Sequence, residues 1–455
     1  MKLIYQVDDK PKTGELIVFA IQQLLAIMAA TLVVPVIVGH GMSPAAALFG
    51  AGVGTIVYVL FTRKKSPVFL GSSFAFLGSM AAAFAGAASD AVGYFGLIIG
   101  AVFAGLVYVI IALIVKFAGV DWINKLMPAV VIGPTVAIIG LSLAGNAVGD
   151  IVKGGLADAE GTPLAHPHIA LICGLVTLAV TMLCSVYGKK FGKLIPFIFG
   201  ILCGYCVALL FTIIGNVAGI DTLKVVSFES FKALAADGVS ISTFVALPGF
   251  TFLTAYGAFS EGISGSYILT ILVAYVPVAF VVFAEHIADH KNISSIIEKD
   301  LLKDPGLHRT LLGDGVGSMV GAFFGGCPNT TYGESIGCVA ITKNASVYSI
   351  IYAAAGAILI SFLSPFVAFV NSIPSCVMGG VCMALYGFIA VSGLKMVQNV
   401  DLNQNKNLFV VSVILIAGIG GLTLNFGNVT ITSIACALIL GILTNLMLKK
   451  GADTE

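Results

Sequence analysis

The chain is laid out as long apolar runs separated by short polar connections, with little of the alternation that marks amphipathic strands or surface helices. About fourteen runs approach the roughly 20 residues that a bilayer-spanning helix needs. They centre near residues 27, 53, 77, 105, 138, 177, 206, 278, 317, 336, 358, 384, 416 and 438. The pattern predicts an all-α polytopic membrane protein. The first run, residues 15–38, is too long for the apolar stretch of a secretion signal and ends in no small-residue cleavage pattern, so it reads as a retained span.

Composition agrees: 58% of residues are hydrophobic and 10% charged, with a mean hydropathy of +1.06. A net charge of +1 without a basic stripe gives no footprint for nucleic acid. The charges instead describe topology. With a cytoplasmic amino terminus and fourteen spans, all but Lys153, Lys224 and Lys232 of the 23 Lys and Arg residues fall on the inner side. The inner set includes Lys2, Lys125, Lys190, Lys449, Lys450 and the Arg63-Lys64-Lys65 cluster, as the positive-inside rule expects. Both termini are therefore expected in the cytoplasm.

Polar stretches at 148–168 and 219–262 interrupt the runs, and the second divides the chain into halves. Matching breaks recur in both. Pro128 precedes Gly133 by five residues as Pro374 precedes Gly379, and Gly71-Ser-Ser-Phe74 interrupts the third run as Asn329 to Gly333 interrupts the tenth. The common displacement of about 250 residues predicts a repeat of seven spans, whose odd count inverts the second copy. Gly313, Gly317, Gly321 and Gly325 form a bare stripe suited to close helix contact. No strand precedes these glycines, so a dinucleotide-binding reading fails.

The stretch Cys327-Pro-Asn-Thr-Thr-Tyr-Gly-Glu334-Ser-Ile-Gly337 sets helix breakers and a carboxylate at membrane depth. Irregular backbone survives there only when buried in protein or lining a polar cavity, and an ionisable residue beside it is a functional-site hypothesis. Glu285 and Asp289 lie one turn apart on a second run, which is expected to end near His290 and Lys291 at the cytoplasmic surface. A charge at a helix centre costs about 2.5 to 3.5 kcal/mol on insertion scales, which argues for a role at Glu285. Adjacent acids also suit a proton-coupled step, because repulsion and desolvation both favour a neutral carboxyl. Phe74, at the matching break, is placed to stack on a planar ligand. Asp314, Gln22, Gln23 and Tyr332 complete the intramembrane polar set, with bonding between helices the plain explanation. No metalloprotease, nucleophile-elbow or phosphate-loop motif is present, so neither an enzyme nor a cofactor or metal site is expected.

These motifs resemble the nucleobase/ascorbate transporter family, most nearly its bacterial uracil permeases, over nearly the whole chain. The resemblance rests on Ala284-Glu285-His286, on the run from Lys299 to Arg309, on Pro328 to Glu334 with its continuation to Lys343, and on Gly71 to Phe76. It implies fourteen spans as a 7+7 inverted repeat with short antiparallel strands in spans 3 and 10. A core domain would comprise residues 1–120 and 266–370, a gate domain 121–219 and 371–455, and an extracellular connection 220–265. Glu285, Glu334, Phe74, Gly333 and Ala30 would line the substrate site, with Phe74 and Gly333 offering backbone N–H groups to uracil carbonyls. The implied activity is proton-coupled uracil import across the plasma membrane by a homodimer. A purine or xanthine carrier, sodium coupling and a channel on the same scaffold are the alternatives. Three positions depart from the family pattern: Asp289 replaces a histidine, Ser335 an asparagine, and Gln23 the histidine of a Gln-His pair. Asp289 is thereby expected to take the histidine's part in proton coupling.

Overall fold

The computed structural model describes residues 3–119, 122, 128–156, 163–189, 191–234, 236, 238–398, 400–426 and 429–448. Lys2, Lys125, Lys190, Lys449 and Lys450 of the charge argument lie outside them. The helices that carry the apolar runs, numbered in chain order, are α1 (Thr13–Val38), α2 (Pro44–Phe61), α3 (Leu77–Ala85), α4 (Asp90–Ala118) and α5 (Ala129–Ser142). Next come α6 (Pro167–Tyr187), α7 (Pro196–Ala218), α8 (Gly265–Ile297), α9 (Leu307–Gly325) and α10 (Gly333–Thr342). The last are α11 (Val347–Ile360), α12 (Ser375–Val397), α13 (Asn405–Ile419) and α14 (Ser433–Met447). Among the described residues, eight helical stretches are long and apolar enough to cross a bilayer: α1, α2, α4, α6, α7, α8, α12, and α5 taken through to Asp150. The protein is a multi-pass membrane protein.

Four helix starts are closed by side chains. Ser43, Ser89, Ser264 and Thr432 accept from the backbone N–H three residues on, at the starts of α2, α4, α8 and α14. Pro128 and Pro374 stand as the residues that precede α5 and α12, so the repeated Pro signal marks helix starts in both halves.

The two breaks meet. Strand β1 (Leu70–Ser72) pairs antiparallel with β2 (Asn329–Thr331), in register Leu70 with Thr331 and Ser72 with Asn329. Bonds beyond the ladder finish the crossing: Ser73 N donates to Pro328 O at 2.9 Å, Tyr332 N to Phe69 O at 3.2 Å, and Tyr332 Oη to Ser72 O at 2.6 Å. Thr55 Oγ1 accepts from Leu70 N at 2.9 Å. Irregular chain at this depth is thus bonded within the protein, the condition under which lipid tolerates it. From the crossing, a 3₁₀ turn (Phe74–Phe76) leads into α3, and α10 begins at Gly333.

The glycine stripe of α9 seats on α2. A Cβ on Gly317 would fall 2.8 Å from Gly54 O, and one on Gly325 would fall 2.6 Å from Ala46 O. Backbone contact replaces side-chain packing there. The helices α1 to α4 and α8 to α11 pack largely on one another, as do α5 to α7 with α12 to α14.

Two features differ from the sequence reading. Helix α8 does not end near His290; it continues to Ile297, and His290 is fully buried because Tyr58 of α2 packs over it. A second ribbon, β3 (Leu424–Phe426) with β4 (Val429–Ile431), precedes α14 and was given no signal by the apolar pattern.

Candidate substrate-binding site

A cavity of about 320 Å³ opens between α1, α8 and α10 on one side and α5, α7 and α12 on the other. Leu25, Ala26 and Cys338 line it with Val136, Phe197 and Ile389 opposite, and Lys193 stands among its lining residues. At its inner end a smaller pocket of about 50 Å³ is bounded by Phe74, Ala75, Ile139 and Thr330 to Glu334. Glu285, Gly333, Glu334 and Ile389 line both, so the larger space is a vestibule and the smaller its floor.

Each sequence-predicted residue has a definite place. Glu285 projects from the middle of α8, and Glu334 is the second residue of α10; both are half-buried at the pocket. Phe74 and Gly333 are the first residues of the two short helices that leave the strand crossing. Their N–H groups therefore lack intrahelical acceptors by position. A Cβ on Gly333 or Gly337 would meet nothing within 4 Å, so open space lies over both. The Phe74 ring is 9% exposed and meets Tyr386 of α12 edge to face, with centroids 5.9 Å apart. Asp289 lines the vestibule one turn from Glu285 and accepts a hydrogen bond from Thr331 Oγ1 at 2.7 Å. Ala30 is buried on α1, but the α1 residues lining the vestibule are Leu25 and Ala26, a turn away.

None of the ion pairs among the described residues engages Glu285, Asp289 or Glu334. Carboxyls held away from water without a fixed countercharge need donors from a ligand or bound protons. The pocket therefore offers two acidic side chains and two helix-start N–H groups around a small slot of mixed polar and apolar lining. That set matches a neutral planar ring bearing alternating N–H and C=O groups.

Sequence reasoning expected bonding between helices at Asp314 but did not find the histidine network it joins behind α8. His286 Nδ1 lies 2.7 Å from Asp314 Oδ2, and its Nε2 lies 3.0 Å from Thr310 Oγ1. Thr310 Oγ1 also lies 3.0 Å from Leu307 O, so the ring is bonded through both nitrogens. His290 stacks on His286 at 4.0 Å and bonds Tyr58 Oη at 2.7 Å, and Tyr58 bonds Ser66. The i, i+4 spacing of the two histidines was the available signal.

A multi-pass bundle whose halves cross at two strands, with paired acids in a cavity between two groups of helices, defines a secondary membrane transporter. Its fold resembles the transmembrane domain of a cyanobacterium bicarbonate transporter, BicA, with a TM-score of 0.62 at 15% identity, covering 97% of this chain and 100% of that one. The Permease family matches residues 14–426. The chain is 40% identical over 450 residues to a uracil permease of Bacillus caldolyticus, covering 98% of this chain and 95% of that protein. It is 36% identical over 453 residues to a uracil permease of Bacillus subtilis, covering 99% and 96%. The chain belongs to the nucleobase/ascorbate transporter family of permeases, and is a transporter rather than an enzyme.

Proposed function

We propose that this protein is a proton-coupled symporter that imports uracil by alternating access. The observation that carries the reading is the meeting of Glu285, Glu334 and the helix-start N–H groups of Phe74 and Gly333 on one pocket. Uracil presents N–H donors and C=O acceptors in alternation along one edge. Glu334 and Glu285 accept from ring N–H groups, a protonated carboxyl gives a hydrogen to a carbonyl, and the two backbone N–H groups take the remaining carbonyl lone pairs. The names of the relatives support the choice of uracil over a purine.

The fourteen helices are read as fourteen spans in two inverted sets of seven. Residues 1–120 and 266–370 form a core domain that carries Glu285, Glu334 and Phe74, and 121–219 with 371–455 form a gate domain that carries Val136, Phe197 and Ile389. The segment 220–265 connects them outside the plasma membrane, both termini are cytoplasmic, and two copies associate through gate helices. With that orientation the vestibule, which reaches Lys193, opens inward. Rocking of gate against core would then expose the pocket to either side. Glu285 and Asp289 hold the coupling proton, Glu285 loading it with substrate.

The test is competition of unlabelled bases against labelled uracil in proteoliposomes, with and without sodium and with an imposed pH difference. Uracil alone competing strongly, with accumulation that follows the pH difference and ignores sodium, is expected. Equal competition by purines, or sodium dependence, overturns the reading. Counterflow separates a carrier from a channel.

A further inference from the structure

The vestibule divides its charges between two walls. Glu285, Asp289 and Glu334 stand on the side built from α8 and α10. Opposite them is Lys193, in the short helix Phe191–Leu194 that leads into α7. Among the described residues it is the one charged group on that wall, where Ile195, Phe197, Phe388 and Ile389 are apolar and Ser392 is neutral. Lys193 is exposed, and no ion pair among the described residues engages it or any of the three acids.

The acids differ in depth. Glu285 and Glu334 line both the vestibule and its floor, whereas Asp289 lines the vestibule alone, on the mouth side of the other two. Around it stand Glu285 on its own helix, Glu334 of α10, Asp314 of α9 and the phenols of Tyr58 and Tyr108, none of them a cation. His286 and His290 belong to the network on the far side of α8. Among the described lining residues, α1, α5 and α12 bring no acid or base to this space. Thr331 bonds Oδ2 of Asp289, so a second partner at Oδ1 would leave that contact intact.

Resting on the proton-coupled reading above, we propose that Lys193 is the countercharge with which the inner mouth of the empty carrier closes, crossing from the gate wall to pair with the Asp289 carboxylate. In the loaded carrier Asp289 holds the proton and is neutral, so the walls approach without a partner for it. Once uracil and proton have left, closing the mouth strips water from a bare carboxylate, which is costly unless a cation comes with it. An ammonium on a flexible stem can span the closing gap and swing back to water when Asp289 is protonated again. The return of the empty carrier therefore depends on Lys193, and the passage of the loaded carrier does not.

The full chain is reconstituted in proteoliposomes and labelled uracil is followed in two assays. Net uptake into vesicles without uracil needs the empty carrier to return; exchange against internal uracil does not. Lys193→Gln is expected to lower net uptake about tenfold and to leave exchange within about twofold of the unaltered chain. Lys193→Arg, which keeps the charge, is expected to support both. In an Asp289→Asn background, Lys193→Gln is expected to change neither rate further, because no carboxylate remains to be paired. Unchanged net uptake in Lys193→Gln, equal loss of both rates, or the same loss in the Asp289→Asn background overturns the pairing. Should Lys193→Gln yield no folded protein, Lys193→Cys treated with a thiol reagent bearing an aminoethyl group takes its place, with the unaltered chain treated alike. Failure of that reagent to restore net uptake overturns the pairing as well. Asp289→Asn alone tests the underlying reading: an unaltered pH response removes Asp289 from coupling, whereas a lost pH response with intact net uptake in Lys193→Gln removes only the pairing.

Discussion

Thr331 Oγ1 donates to Asp289 Oδ2 at 2.7 Å, joining the second strand of the crossing to the middle of α8. Asp289 is therefore held by one of the strands that build the pocket floor. Loss of a proton from Asp289 is felt directly by β2, which leads into Gly333 and Glu334. Asp289→Asn keeps the side-chain shape and an acceptor for Thr331 while removing the charge. Uptake by this variant should lose much of its response to external pH, with uracil affinity less affected. A pH profile superimposable on that of the unaltered protein would remove Asp289 from coupling.

Glu285→Gln should abolish net uptake or leave only exchange. The carboxyl faces both the pocket and the vestibule, and an amide cannot pick up and release a proton. The measurement is accumulation of labelled uracil under an imposed pH gradient. Accumulation that still follows the gradient contradicts the assignment.

Asp314 and His286 lie on the side of α8 away from the vestibule, fully buried and bonded to each other. Removing one partner of such a pair typically costs about 3 to 5 kcal/mol, because the other is left polar and alone. Asp314→Leu should lower the melting temperature of the detergent-solubilised protein by many degrees. Its signature differs from that of Glu334→Gln, which should weaken uracil binding and leave thermal stability nearly unchanged.

Two glycine substitutions should behave in opposite ways. A side chain at Gly317 collides with the backbone of α2, so Gly317→Val is expected to cost about 3 kcal/mol and reduce the yield of folded protein. Gly337 faces open space in the vestibule. Gly337→Val should fold normally and slow uptake by narrowing the passage. Size-exclusion profiles and uptake rates measured together separate the two effects.

Much of this architecture was legible along the chain because lipid imposes strong local rules. A run of apolar residues must be helical, a polar break at that depth must be bonded internally, and Pro before a run marks its start. Hence the pairs Pro128 with Pro374 and Gly71 to Phe74 with Asn329 to Gly333 identified corresponding places before any fold was known. The spacing of Glu285 and Asp289 likewise placed both on one face of α8. The same period applies to His286 and His290, one position further round, and periodicity carries no information about which face meets a cavity. Only the packing of α9 and α2 against the histidines, and the opening between α8, α10 and α12, distinguished the two faces.

What the amino-acid order determined by itself was therefore the set of helices, the two breaks and the residue types gathered at them, since each follows from contacts within a few residues or from the solvent. Tertiary structure alone decided that β1 pairs with β2, that Gln23 reaches Ser335 across 312 positions, and that Asp314 is bonded to His286 while Glu285 lines the cavity. Those outcomes depend on which helix lies beside which, and a side chain's role in lipid is set by whether its nearest polar neighbour belongs to the protein or must come from outside it.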